Sequence, residues 1–142
     1  MTQPLLTLAD LRVAFATPSG PLTVVDGLSF TLESGKTLCI AGESGSGKSV
    51  TALSLMGLLP KPGGRVIGGS ALFQGRDLFK LPEAEMQAIR GDEIGMIFQE
   101  PMTSLNPVLS IGTQMTEGLR RHKGLSLAEA ENRALAVLES ER

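Results

Sequence analysis

Residues 42–49 read Gly-Glu-Ser-Gly-Ser-Gly-Lys-Ser and match the phosphate-binding pattern G-x-x-x-x-G-K-[ST] at every required position. Glycine permits backbone conformations that are closed to residues with a Cβ, so successive N–H groups of such a loop can converge on phosphate oxygens. Lys48 then reaches the β- and γ-phosphates, and the Ser49 hydroxyl is a ligand for Mg²⁺. The stretch predicts a site for a nucleoside triphosphate.

The segments on either side place this loop in the context that the motif requires. Residues 37–41, Thr-Leu-Cys-Ile-Ala, favour a short buried strand, and residues 50–59 continue as an apolar helix before Pro60. A strand, a loop and a helix in that order form the usual phosphate-binding unit. The alternative is a glycine-rich turn that binds nothing. The residues predicted to hold the nucleotide are Gly42, Glu43, Ser44, Gly45, Ser46, Gly47, Lys48, Ser49 and Val50.

Composition indicates an ordinary globular chain. Its 142 residues are 42% apolar and 20% charged, and the net charge of −2 gives no indication of nucleic acid as a partner. No apolar run is long enough to span a membrane, and the first residues lack the pattern of a secretory signal, so we expect a cytosolic chain. Cys39 is expected to be a buried small side chain, and His122 to lie at a solvated helix end without a metal.

Alternating apolar residues predict an antiparallel β layer in the first half of the chain. The predicted strands cover residues 5–15, 22–32 and 65–74, with a turn at 17–21 and a bulge at Gly68–Gly69. A further short buried strand is predicted at 94–98. Helices are predicted from Pro82 to Arg90, from the Ser110 cap onwards, and from a capping box formed by Ser126 and Glu129.

Together these residues resemble the ATP-binding subunit of an ATP-binding cassette (ABC) transporter, in the branch that energises import of dipeptides, oligopeptides, nickel or glutathione. Three stretches carry the resemblance, namely 24–36, 42–51 and 94–107 with its Phe-Gln-Glu-Pro and Ser-Leu-Asn-Pro runs. The resemblance implies an α/β P-loop NTPase of the ABC ATPase type. Residues 1–98 would form an antiparallel β layer and part of a RecA-like core, and residues 99–142 the Q-loop and the start of a helical subdomain.

The resemblance also implies a role for Gln99. In the family, the glutamine at this position contacts Mg²⁺ and the attacking water, and the loop after it senses the transmembrane subunits. The chemistry is reasonable, because a neutral amide donates to a phosphate oxygen and accepts from water, whereas a carboxylate would repel the phosphate. The alternative is that Gln99 is an ordinary polar residue at the end of a strand.

The implied function is binding of ATP and Mg²⁺ and, in the complete protein, ATP hydrolysis that energises import. The implied partners are transmembrane permease subunits, a second ATP-binding subunit that is a copy or a paralogue and, indirectly, a solute-binding protein. The chain would then be a peripheral protein on the cytoplasmic face of the inner membrane. Two alternatives are a soluble ABC ATPase outside transport and a nucleotide-binding stub without turnover.

The chain departs from the family pattern in two places. The turn at 17–20 lacks the aromatic residue that usually stacks on adenine, and the segment after Gln99 contains no Leu-Ser-Gly-Gly signature, no apolar strand ending in Asp-Glu and no later switch histidine. We therefore expect this chain to be the N-terminal part of a longer protein, with the general base beyond residue 142. By themselves, residues 1–142 are expected to be inactive in hydrolysis.

Overall fold

The computed structural model describes residues 4–100 and 104–140. It divides into two compact units, Met1–Met86 and Gln87–Arg142. In chain order the elements are β1 (Leu6–Thr17), β2 (Gly20–Leu32), α1 (Lys48–Leu55), β3 (Gly64–Phe73), β4 (Arg76–Asp77), α2 (Glu83–Ile89), α3 (Ile111–Lys123) and α4 (Leu127–Ser140).

The first unit is built on an antiparallel sheet with the strand order β2-β1-β3-β4. Strand β1 lies between β2 and β3 and pairs antiparallel with both. Its apolar side chains Leu8, Leu11 and Val13 are almost completely buried, and Val25 and Phe73 from the neighbouring strands join them. The antiparallel pair predicted from the alternation of residues 5–32 is confirmed.

A bulge interrupts β1 at the position predicted for the glycine pair of β3. Ala9 pairs with Ser70 and Arg12 pairs with Gly68, so two residues of β1 lie opposite Gly69 alone. A Cβ at Gly69 would lie 2.5 Å from the carbonyl oxygen of Asp10, which only glycine avoids. The extra residue belongs to β1, and the glycine makes room for it.

Helix α1 is shorter than the predicted segment 50–59. It ends at Leu55 because Gly57 takes a left-handed conformation with φ of 63°. The Leu58 N–H then donates to the Leu53 carbonyl oxygen at 2.8 Å, which closes the helix end as a Schellman motif. Thr51 and Ser54 lie on the buried side of the helix, and each hydroxyl donates to a carbonyl oxygen one turn earlier.

The prediction of buried strands at 37–41 and 94–98 is wrong. Neither segment belongs to the sheet, and residues 37–41 are exposed, including Cys39, which was predicted to be buried. Ile97 is fully exposed. The physical reason is that a strand needs a hydrogen-bonded neighbour, and within residues 4–100 and 104–140 neither segment joins a strand ladder.

The helices of the second half begin where their caps predict. Two N–H groups of the α2 turn, those of Glu85 and Met86, donate to the carbonyl oxygen of Pro82. The hydroxyl of Ser110 accepts from the Thr113 N–H at 3.1 Å. The Ser126 hydroxyl donates to the Glu129 carboxylate at 2.5 Å and the Ser126 N–H donates to it at 2.9 Å, as in a capping box, and these two bonds hold the pKa of Glu129 below its ordinary value. No helix in the described part of the chain is long and apolar enough to cross a membrane.

The side chain of Asp77 stabilises the β3–β4 hairpin and is only 12% exposed. One of its oxygens, Oδ1, accepts from the N–H groups of Ala71 at 3.1 Å and Phe79 at 3.3 Å. The Lys80 ammonium lies 3.0 Å from the other oxygen, Oδ2. Burial alone would raise the pKa of Asp77, but the hydrogen bond from Ala71, the ion pair with Lys80 and the hydrogen bond from Phe79 outweigh it and hold the pKa below its ordinary value.

Asp77→Ala should therefore lower the free energy of unfolding by about 1–3 kcal/mol at pH 7, because it leaves two N–H groups without their acceptor. Asp77→Asn should cost less, since its amide oxygen still accepts. Because the folded pKa is depressed, the carboxylate stabilises the fold fully at pH values well above its unfolded pKa, and this contribution is lost as the pH falls through the lower folded value. Urea unfolding of the complete protein between pH 7 and pH 3 tests this. An Ala variant as stable as wild type at pH 7 would contradict it.

Candidate functional site

Residues 42–47 lead into α1 along a tight path without regular secondary structure. The Ser46 N–H donates to the Glu43 carbonyl oxygen at 3.2 Å and closes a turn. Gly45 and Gly47 have φ of 80° and 90°, in the left-handed region that glycine adopts without strain. The loop therefore has the turn geometry that its glycines predict.

The Lys48 ammonium lies inside this turn. Nζ donates to the carbonyl oxygens of Gly42 and Glu43, both at 2.6 Å, and to the hydroxyl of Ser46 at 3.1 Å. An ammonium has three donors, and each of these oxygens takes one. The loop thus curls around its own lysine and holds the positive charge in a set position beside the start of α1.

The N-terminal end of α1 is open for an anion. Gly47 precedes the helix and has no side chain to cap it, and the first turn contains no acidic residue. The first intrahelical bond runs from the Thr51 N–H to the Gly47 carbonyl oxygen at 2.8 Å. The N–H groups of Lys48, Ser49 and Val50 therefore come before the first hydrogen bond of the helix, where the positive end of the helix dipole favours negative charge.

Gly47 also joins the loop to the sheet. A Cβ at this position would lie 2.9 Å from Cγ2 of Val25 and 3.0 Å from the carbonyl oxygen of Val24. Val25 is buried in β2, opposite Val13 of β1. The backbone of Gly47 thus lies directly against the edge strand, and this contact sets where the loop ends and α1 begins.

The structure brings the nine predicted nucleotide-binding residues, 42–50, together as one continuous segment of the first unit. Ser49 is exposed in the first turn of α1, and Lys48 is half-buried. Gln99 belongs to the second unit, where it is exposed and outside any helix or strand. Its role stays a prediction.

No cluster of His, Cys, Asp and Glu side chains that could hold a metal ion is found where the structure describes the chain. His122 lies in the last turn of α3, as predicted, next to Lys123, which pairs with Asp92. The hydrogen bond from Lys123 holds the pKa of Asp92 below its ordinary value. This end of α3 is therefore stabilised by charge pairing within the second unit.

Two features of the structure were missed by sequence reasoning. A surface cavity of about 190 Å³ beside the β1–β2 turn is lined by Phe15, Pro21 and Arg65, among others, so an aromatic side chain does lie near that turn. In the second unit, the Gln114 side chain makes several hydrogen bonds to the loop before α3. A glutamine in a helix carries no sequence signal for these bonds, whereas Phe15 near the end of β1 is an aromatic residue close to the turn that could have been identified from the sequence.

A glycine-rich loop that encloses a lysine at an uncapped helix start defines the class of P-loop nucleotide-binding proteins. Within that class, the chain belongs to the ABC transporter family, whose model matches residues 25–141. The family predicted from residues 24–36, 42–51 and 94–107 is confirmed.

Several relatives are oligopeptide transport ATP-binding proteins. The chain is 54% identical to OppD of Salmonella typhimurium over 136 residues. These residues are 96% of the chain and 40% of the relative. It is 52% identical to OppD of Escherichia coli, with the same fractions of both chains aligned. It is 50% identical to OppD of Bacillus subtilis over 95% of the chain and 38% of the relative. The chain thus spans about 40% of the length of these relatives.

A solved structure has the same fold. It is a dimeric post-hydrolysis state of the ATP-binding cassette MJ0796 bound to ADP and Pi, with a TM-score of 0.78 and 25% identity. The match covers 94% of this chain and 56% of the other. The predicted fold class, an ABC ATPase with an antiparallel β layer and helices, is confirmed.

Gly47→Ala should lower the free energy of unfolding more than Gly45→Ala, although both residues have positive φ. At Gly45 a Cβ meets nothing within 4 Å, so only the left-handed backbone costs stability, about 1–2 kcal/mol. At Gly47 the same cost is joined by the clash with Val24 and Val25, about 1–3 kcal/mol more. Urea unfolding of both variants measures the difference. Equal losses would show that Gly47 does not lie against β2.

Proposed function

We propose that this chain binds ATP with Mg²⁺ and that, in the complete protein, it supplies half of each site where ATP hydrolysis energises import of oligopeptides or a related small solute. The single observation that carries the proposal is the loop 42–48 closed around the Lys48 ammonium at an uncapped helix start. The names of the OppD relatives support oligopeptide transport as the process.

The geometry suits a triphosphate because three positive features converge at one point. The Lys48 charge is held in place, the N–H groups of residues 48–50 are free of intrahelical partners, and the helix dipole points its positive end the same way. An arriving phosphate oxygen can replace one of the loop oxygens as acceptor for the Lys48 ammonium. The site then needs little rearrangement to hold negative charge.

Mg²⁺ fits this site with few protein ligands. The Ser49 hydroxyl is exposed one residue after Lys48, and Mg²⁺ commonly takes one or two protein oxygens and completes its shell with water and phosphate. When bound, the ion neutralises phosphate charge. Ser49 would hold it from the loop side, and Gln99 is proposed as the second ligand and as the group that orients the attacking water.

The adenine end of the nucleotide is proposed to lie beside Phe15. Phe15 pairs with Leu22, which is two residues along β2 from Val24, the residue against which Gly47 lies. Two strand residues span about 7 Å, a distance that a nucleotide bridges. The cavity lined by Phe15 and Arg65 opens there and offers an aromatic surface to the base.

The family and its solved neighbour support the proposed partners. We propose transmembrane permease subunits that contact the loop after Gln99, a second ATP-binding subunit and, indirectly, a solute-binding protein. The dimeric form of the MJ0796 cassette supports the second subunit. The chain would work as a peripheral protein at the cytoplasmic face of the membrane. The division into 1–98 as β layer and loop core and 99–142 as Q-loop and helical start is part of this proposal.

Lys48→Ala should weaken ATP binding on the order of ten- to a hundredfold or more, because it removes one or two charge-assisted bonds to phosphate, each worth about 1.5–3 kcal/mol. Hydrolysis by the complete protein should be lost. Calorimetric titration with ATP measures the affinity, and Lys36→Ala, which removes an exposed lysine of the same unit, is the control. If Lys48→Ala and wild type bind ATP equally, the loop does not hold phosphate.

Gln99→Ala should leave ATP affinity within a few-fold of wild type, since residues 42–50 remain intact, and should strongly reduce hydrolysis. Gln99→Glu, which keeps the size but adds a negative charge, should also weaken ATP binding. Affinity and phosphate release are measured on the complete protein with its membrane subunits. Normal coupled transport by Gln99→Ala would refute the assignment.

A further inference from the structure

The ring of Phe15 lies against a glycine at the start of β3. Phe15 and Gly64 are partners in the register between β1 and β3. A Cβ at Gly64 would lie 2.9 Å from Cε1 and 3.1 Å from Cζ of the Phe15 ring. Carbon atoms in favourable contact are about 3.5–4.0 Å apart, so the ring occupies space that any side chain at position 64 would need.

The backbone around Gly64 is held by hydrogen bonds. The Gly64 N–H donates to the Pro60 carbonyl oxygen at 2.9 Å, and the Ala16 N–H donates to the Gly63 carbonyl oxygen at 3.0 Å. A Cβ at Gly64 would also lie 3.2 Å from the Pro60 oxygen. Because this oxygen is fixed by its hydrogen bond, the aromatic ring is the group that has to move when a side chain is added.

The same ring forms part of the wall of a cavity. The cavity of about 190 Å³ beside the β1–β2 turn is lined by Phe15, Pro21 and Arg65, among others. The Thr17 hydroxyl, which also lines it, is already bonded to the Gly20 carbonyl oxygen at 2.6 Å. The position of the Phe15 ring therefore sets both the shape of this cavity and the aromatic surface on which a base can stack.

We propose that Gly64 is a positioning residue for the nucleobase, because the absence of a side chain lets the Phe15 ring lie where it stacks on adenine. The inference rests on the proposed function, which places adenine beside Phe15. The contacts that hold Gly64 involve residues 15, 16, 60 and 63, and none of these belongs to the phosphate loop 42–49. Gly64 thus affects recognition of the base and leaves recognition of the phosphates unchanged.

The test compares ATP with inorganic tripolyphosphate, each with Mg²⁺, by calorimetric titration of the complete protein. Tripolyphosphate has the phosphate chain without base or sugar, so the ratio of the two affinities measures the contribution of the nucleoside. Gly64→Ala should bind ATP about tenfold more weakly and tripolyphosphate like wild type, because only the stacking of the base is impaired. Gly118→Ala in α3, where a Cβ meets nothing within 4 Å, is the matched control and should bind both ligands like wild type.

A double-mutant cycle with Phe15→Leu separates positioning of the ring from a general effect on β3. Leucine lacks the ring atoms Cε1 and Cζ, so Phe15→Leu should itself weaken ATP binding, and Gly64→Ala should then add little. An unchanged ATP affinity in either single variant, equal losses for ATP and tripolyphosphate in Gly64→Ala, or full additivity would each overturn the proposal.

The wild-type titrations distinguish a failure of this inference from a failure of the proposed function. A wild-type protein that binds neither ligand would refute the proposed function and this inference with it. Wild-type binding of both ligands, with the same affinity ratio in Gly64→Ala, would overturn this inference alone.

Discussion

The contact between Gly47 and β2 is the constraint on which the rest of the site depends. The backbone of Gly47 lies so close to Val24 and Val25 that a Cβ there would meet them at 3.0 Å or less. Thr51 strengthens this junction, because both its N–H and its hydroxyl donate to the Gly47 carbonyl oxygen. The junction sets the start of α1, and the start of α1 sets where Lys48 and its loop lie. A residue without a side chain thus links the loop and the start of α1 to the sheet.

Local patterns in the sequence predicted the elements whose stabilising contacts are local or antiparallel. The alternation of Leu6, Leu8, Val13 and Phe15 predicts β1, and its partner β2 follows after a short turn, so the pairing residues are close in the chain. The capping pairs of α3 and α4 lie three residues apart and act within one turn. The turn at residues 42–47 was predictable for the same reason, since its contacts, such as the one between Lys48 and Gly42, span at most six residues. That this loop holds phosphate stays a prediction.

Features that depend on residues distant in the sequence, or on backbone atoms, were not predicted. Residues 37–41 and 94–98 are apolar enough for buried strands, yet an apolar run becomes a strand only when it pairs with a neighbouring strand. In the described part of the chain neither segment joins a sheet, and residues 94–98 form only an isolated bridge between Ile94 and Arg90. The end of α1 was misplaced because apolar residues continue past Gly57, whose left-handed conformation stops the helix. The hydrogen bonds of Gln114 could not be predicted, because its partners are backbone atoms and no pattern of residue types indicates them.

The proposed function requires that the loop recognises the terminal phosphates of a nucleotide. The most direct measurement is a calorimetric comparison of ATP, ADP and AMP, each with Mg²⁺, binding to the complete protein. Because Lys48 and the N–H groups at the start of α1 are the positive features of the site, AMP should bind at least about a hundredfold more weakly than ATP, with most of the loss between ADP and AMP. Equal affinities for AMP and ATP would contradict the account, because recognition would then lie with the base and sugar alone.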